Sequence, residues 1–103
     1  MTRQIDLAGA SGARYRYTAM EENRFLPPAG ANYVIAEVRD EDLNVVFAGE
    51  TDNLANQTWR ADLEKAKRKH PDATVLTRLN VTRAVREAEQ RDLIDHYHPP
   101  LNG

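Results

Sequence analysis

Polar and apolar positions alternate along this chain with two different periods, and the changes of period mark out its elements. Residues 3 to 7 and 14 to 18 read as strands joined by the turn signal AGASGA. In the second, Arg14 and Arg16 share one face while Tyr15 and Tyr17 share the other, because successive strand side chains point to opposite faces. Two readings fit that alternation. One is a half-buried strand with its tyrosines inward and its arginines in water; the other is an aromatic and cationic platform for nucleic acid. The segment EENRFLPPAGA then interrupts the pattern, and its Pro27-Pro28 pair makes it a connecting loop. NYVIAEV (32–38) is apolar enough to be a central strand. After the charged turn RDEDLN, VVFAG (45–49) returns as its hairpin partner.

From there the period lengthens. Asp52 is the expected N-cap of a helix over residues 53–69, with Ala55, Trp59, Leu63 and Ala66 on its apolar face. Gln57, Arg60, Glu64 and Lys67 fall opposite. The last turn carries Lys65, Lys67, Arg68 and Lys69, which suit either the negative end of the helix dipole or a phosphate backbone. Pro71 ends the helix. ATVLTRL (73–79) is another central strand, and a second helix runs over 82–97. Its inward stripe holds Val85, Glu89, Leu93 and Tyr97, with Glu87 outward. An inward Glu89 needs a partner, which Arg86 or Arg83 can supply, or else it marks a site. The terminal HPPLNG cannot stay helical.

The pattern predicts a single α+β domain over residues 1–103. A small, mainly antiparallel central sheet of about three core strands plus an N-terminal hairpin is flanked by two longer helices. Residues 1–30 form the hairpin and loop extension, and 31–103 the core. At 103 residues there is material for one modest core. No apolar run approaches a membrane span, so no membrane partner is expected. The N-terminus lacks the apolar stretch of a signal peptide. The absence of cysteine removes disulfides, thiolate chemistry and Cys-ligated zinc. A cytoplasmic location is the expectation.

The net charge of −2 argues against a strong nonspecific DNA binder, although a local basic patch is compatible with it. Ser11, the single serine, lies in a glycine-flanked turn outside any nucleophile elbow. Neither a phosphate loop nor a dinucleotide fingerprint is present. His96 and His98 flank Tyr97 but lack the third ligand a zinc site needs, and His70 decorates a helix end. Gly49 alone says only that a strand ends there with close backbone approach or an unusual dihedral angle.

Taken together, ANYV at 31–34, FAG at 47–49, the helix entry ETDNL and DLIDHYHPPLN at 92–102 resemble the GIY-YIG nuclease superfamily in order and spacing. The resemblance covers residues 31 to 102. It implies an endonuclease scaffold in which two tyrosines, an arginine and a glutamate surround the scissile phosphate. The glutamate would hold magnesium or manganese, since hard cations prefer carboxylate oxygens and polarise phosphate. Carried over position by position, the first tyrosine is matched by Tyr33 and the glycine by Gly49. The second tyrosine is replaced by Phe47, the arginine by Gln57 and the glutamate by Gln90. Three of the four polar positions therefore lack the expected chemistry, and glutamine carries no charge for a cation. Arg60, one turn beyond Gln57, and Glu89, beside Gln90, are the candidates for rescue.

The resemblance, together with the basic residues Arg14, Arg16, Arg60, Lys67 and Arg68, suggests a catalytically degenerate domain that binds DNA or another nucleic acid through them and Gly49, without a cofactor. The alternatives are an active endonuclease using Glu89, Arg60 and Mg2+ or Mn2+, and a protein-interaction or regulatory module on the same scaffold. The acidic turn 40–42 and a pI near 5.9 favour the last.

Overall fold

The computed structural model describes residues 3–20, 26–39 and 42–103. The strands are β1 (Gln4–Ala8), β2 (Arg14–Ala19), β3 (Ala31–Arg39), β4 (Asp42–Thr51) and β5 (Thr74–Leu79). They form one antiparallel sheet in the order β1-β2-β5-β3-β4. This corrects the expected division into about three core strands and an added hairpin. Thr18 and Ala19 of β2 pair with Thr77 and Leu76 of β5, and the Met20 amide donates to the Val75 carbonyl at 2.9 Å. The N-terminal strands therefore complete a five-stranded sheet. Their anchor is chemical: Leu7 and Tyr17 are fully buried, in one cluster with Leu76 and Leu93.

Two helices cover opposite faces. α1 (Trp59–Lys67) packs Trp59 and Ala66 over Tyr33, Ile35, Val46 and Val75. α2 (Arg83–Tyr97) packs Leu93 over Val34, Ala36, Val45 and Ala48. Alternate residues of β3 thus enter different clusters, which is why the strand reads as continuously apolar. Between Ile35 and Ala36 the β3–β4 register slips by one, leaving Val46 as the extra residue of a bulge.

α1 begins later than its sequence period suggests. Asn53, rather than Asp52, is the cap, its side chain accepting from the Ala55 amide at 3.0 Å. It starts a single 3-10 turn, Leu54–Asn56, which Gln57 ends in the left-handed region at φ 56°. The segment is thus broken before Trp59, and Ala55 lies exposed. In α2 the inward stripe is Arg86, Glu89 and Leu93; Val85, expected inward, is 51 % exposed. Asp40 and Glu41 of the acidic turn, and residues 21–25 of the long loop, lie outside the described residues. No helix among the described residues is long and apolar enough to cross a membrane.

Candidate functional site

Where the edge strand β4 meets α2, the surface opens into a groove of about 720 Å³. Tyr33, Phe47 and Gly49 reach it from the sheet, and Gln90 from α2. Three of the four polar positions singled out by the resemblance are therefore gathered together with the glycine. Close approach explains Gly49: a Cβ there would stand 2.5 Å from the Tyr33 ring. The Tyr33 and Phe47 rings lie 6.0 Å apart, tilted by 32°.

The Tyr33 hydroxyl and the Gln90 amide N–H already have partners. The Tyr33 hydroxyl donates to Asp62 Oδ2 at 2.8 Å. Burial first, and then that bond, push its pKa well above the ordinary phenol range, so it stays protonated and is a poor general base. Gln90 Nε2 donates to the Ala48 carbonyl at 3.2 Å. Asn102 grips the same residue twice, accepting from the Ala48 amide at 2.8 Å and donating to its carbonyl at 2.9 Å. A glutamate at position 90 could not make the donation that Gln90 makes, because a carboxylate has no N–H.

The remaining expected residues are elsewhere. Gln57 and Arg60 lie outside the groove lining and are bonded to each other, the Gln57 Oε1 accepting from Arg60 Nη2 at 2.7 Å. The Arg60 guanidinium also stacks 5.0 Å from the Trp59 ring centre. Glu89 is buried and turned toward the N-terminal strands. Tyr17 Oη donates to its Oε2, and Arg78 Nε donates to its Oε1 at 3.1 Å. Its partner is thus Arg78, neither Arg86 nor Arg83. Arg83 pairs with Glu87 at 2.8 Å and Arg86 with Glu50 at 3.4 Å.

These residues do not fit a divalent cation. Gln90 stands where the resemblance expects a carboxylate, and Glu89 is committed to Tyr17 and Arg78. Among the described residues, no group of three or more His, Cys, Asp or Glu side chains is set to hold a metal ion. Arg14 and Arg16 are exposed, as the half-buried strand reading requires, and Arg16 pairs with Asp6 at 2.9 Å. Lys65, Lys67, Arg68 and Lys69 are exposed and form no ion pair among the described residues.

Sequence reasoning did not single out Asp62, Glu50 and Arg91, and it placed Glu87 outward without a site role. The signals they carry are weak: Asp62 is an acid in a helix's first turn, and Glu87 and Arg91 are charges on an exposed helix face. Only the placement of α2 against β4 brings the last two into the groove. Compared with known proteins, the chain matches no family model, no curated protein and no solved structure.

Asp92 and Glu37, outside the groove, have carboxylate pKa values depressed in the fold, as does Asp6 beside Arg16. Asp92 accepts from Ser11 Oγ, Tyr15 Oη and the Ser11 amide, and those bonds hold its pKa below the usual carboxylate range. Bonds from Asn44 and His70 do the same for Glu37. A depressed folded pKa gives stability that is present above the unfolded value, about pH 4, and is lost as pH falls through the folded one. Tyr15 shifts the other way, raised to about 12 by burial and by Asp92. Its contribution is complete below about pH 10 and is lost between about 10 and 12. Thermal melts are expected to be flat near neutrality and to fall on both limbs. Asp92→Asn should reduce the drop below pH 4; an unchanged acid limb in that variant would remove Asp92 from the account.

Proposed function

We propose that this chain is a GIY-YIG-like domain that binds nucleic acid without cleaving it. The resemblance supplies the class, and one observation carries the departure from it. Gln90, at the position expected for a metal-binding carboxylate, donates its amide to the Ala48 carbonyl. The neighbouring carboxylate, Glu89, is committed to Tyr17 and Arg78 on the other side of α2. Losing a preorganised donor costs about 100- to 1000-fold in rate, and here the metal carboxylate is missing as well. Arg60 is held by Gln57 and Trp59, so the alternative of an active endonuclease using Glu89 and Arg60 with Mg2+ or Mn2+ has little geometric support.

Contact with the phosphate backbone rests on cations outside the groove. Lys65, Lys67, Arg68 and Lys69 form a short exposed run at the end of α1. Phosphate contacts by such side chains release counterions, so affinity falls with salt. Fluorescence anisotropy with labelled duplex and single strands is expected to show binding at low salt, unchanged by EDTA and accompanied by no cleavage in Mg2+ or Mn2+. The pair Lys67→Glu and Arg68→Glu should weaken binding about tenfold or more and flatten the salt slope by about 2. Absence of binding at low salt to every probe would sink this reading. Metal-dependent cleavage lost in Glu89→Gln would instead favour the active enzyme.

A second reading, a protein-interaction module, draws on one feature. Leu79, Val81 and Val85 are large apolar residues left exposed at the junction of β5 and α2. A pull-down recovering one protein partner and no nucleic acid would support it. A cytoplasmic location belongs to either reading and is open to fractionation.

A further inference from the structure

We infer that the groove between β4 and α2 receives a neutral nucleobase of a single strand, in place of a backbone phosphate. The inference rests on the nucleic-acid reading above and concerns what that groove selects.

Charge balance is the first argument. Glu50, Glu87 and Arg91 line the groove. Each has an opposite charge beside it: Arg86 at 3.4 Å, Arg83 at 2.8 Å and Asp95 at 3.9 Å. A groove balanced in this way offers donors and acceptors without a net field. A bare phosphate needs a positive field, whereas a neutral ring with polar edges does not. Shape is the second argument. The volume of about 720 Å³ lies within the range of roughly 300–1,000 Å³ usual for small-ligand pockets. Phe47, half-buried on the sheet side, presents an apolar ring where the resemblance expects a tyrosine. Base–aromatic stacking needs no hydroxyl.

The polar edge sets the preference. Gln90 uses its Nε2 on Ala48, which leaves its Oε1 to count with Glu50 and Glu87 among the acceptors of the lining set. Arg91 is the donor of the lining set. Acceptors outnumber donors, so bases bearing an exocyclic amine are favoured over thymine.

The test uses three strands of equal length, oligo(dC), oligo(dT) and an abasic strand, in anisotropy at fixed salt, together with cytidine alone in an amide NMR titration. Oligo(dC) is expected to bind about tenfold tighter than the abasic strand, with oligo(dT) between them. Phe47→Ala should erase the advantage over the abasic strand, and Phe47→Tyr should keep it. Cytidine should shift the Gly49, Glu50 and Arg91 amides. If Phe47→Ala fails to fold, Glu87→Gln at the exposed rim serves instead and should narrow the difference between oligo(dC) and oligo(dT). Equal affinity for base-bearing and abasic strands overturns the inference and leaves the nucleic-acid reading standing. Groove shifts with cytidine, without binding of any strand, support the base site and overturn the reading it rests on.

Discussion

Replacing Tyr17 by alanine is expected to cost about 3–5 kcal/mol, a large share of the roughly 5–15 kcal/mol that holds a domain of this size together. Tyr17 heads the fully buried side chains and joins Leu7, Leu76 and Leu93 in one cluster. Its removal opens a cavity where β2, β5 and α2 meet. It also withdraws the hydroxyl that donates to Glu89, leaving Arg78 as the remaining partner, among the described residues, of a carboxylate that is only 3 % exposed. The two losses separate experimentally. Tyr17→Phe keeps the ring and should cost about 1–3 kcal/mol, the penalty for an unmatched buried acceptor. Urea unfolding at constant m-value measures both. A Tyr17→Phe midpoint equal to that of the parent would mean that Arg78 alone satisfies Glu89.

Arg86→Ala is the second large effect, about 3 kcal/mol or more. Arg86 is 3 % exposed, yet it donates from Nη1 to the carbonyls of Asn80 and Val81, at 3.1 and 2.9 Å, and from Nε toward Glu50. It therefore ties the loop before α2 to the groove rim. The space is tailored to it, since a Cβ on Gly30 would stand 2.3 Å from Arg86 Nη1. Its own carbonyl accepts from the fully buried Asn32, whose Oδ1 accepts in turn from Asn80. Arg86→Lys is expected to recover little, because a single ammonium cannot reproduce a planar fork that reaches two carbonyls and a carboxylate. Thermal melts of the two variants should fall close together; near-parental stability of Arg86→Lys would show that charge alone suffices.

These two residues also show how far local pattern reaches. The alternation in Arg14-Tyr15-Arg16-Tyr17 put Tyr17 inward, but it gave no hint that β5 is the neighbouring strand. Strand order depends on pairing between residues far apart in the chain, and no local period carries it. The inward placement of Glu89 and Leu93 followed from helical spacing, whereas Arg86, read as a possible partner for Glu89, is buried with Glu50 and two loop carbonyls instead. The late start of α1 was hidden for a different reason. Gln57 adopts a left-handed backbone that its residue type does not advertise. Tyr33, Phe47, Gly49 and Gln90 were picked out by motif order and do line one groove. Gln57 and Arg60, chosen on the same grounds, face a neighbour of their own instead. The groove's charged residues come from a strand end and from the outer side of α2, and only three-dimensional placement unites them.

The bulge at Val46 and the tail beyond α2 have a consequence for the sheet margin. A bare margin of this kind recruits foreign strands. Here the Leu101 amide takes the Val46 carbonyl at 3.1 Å, and Asn102 occupies both backbone groups of Ala48. The polypeptide so supplies its own stopper. Along that stretch of β4, another copy finds the hydrogen-bonding positions already occupied, and extension of the sheet from molecule to molecule is blocked there by a few residues of irregular chain.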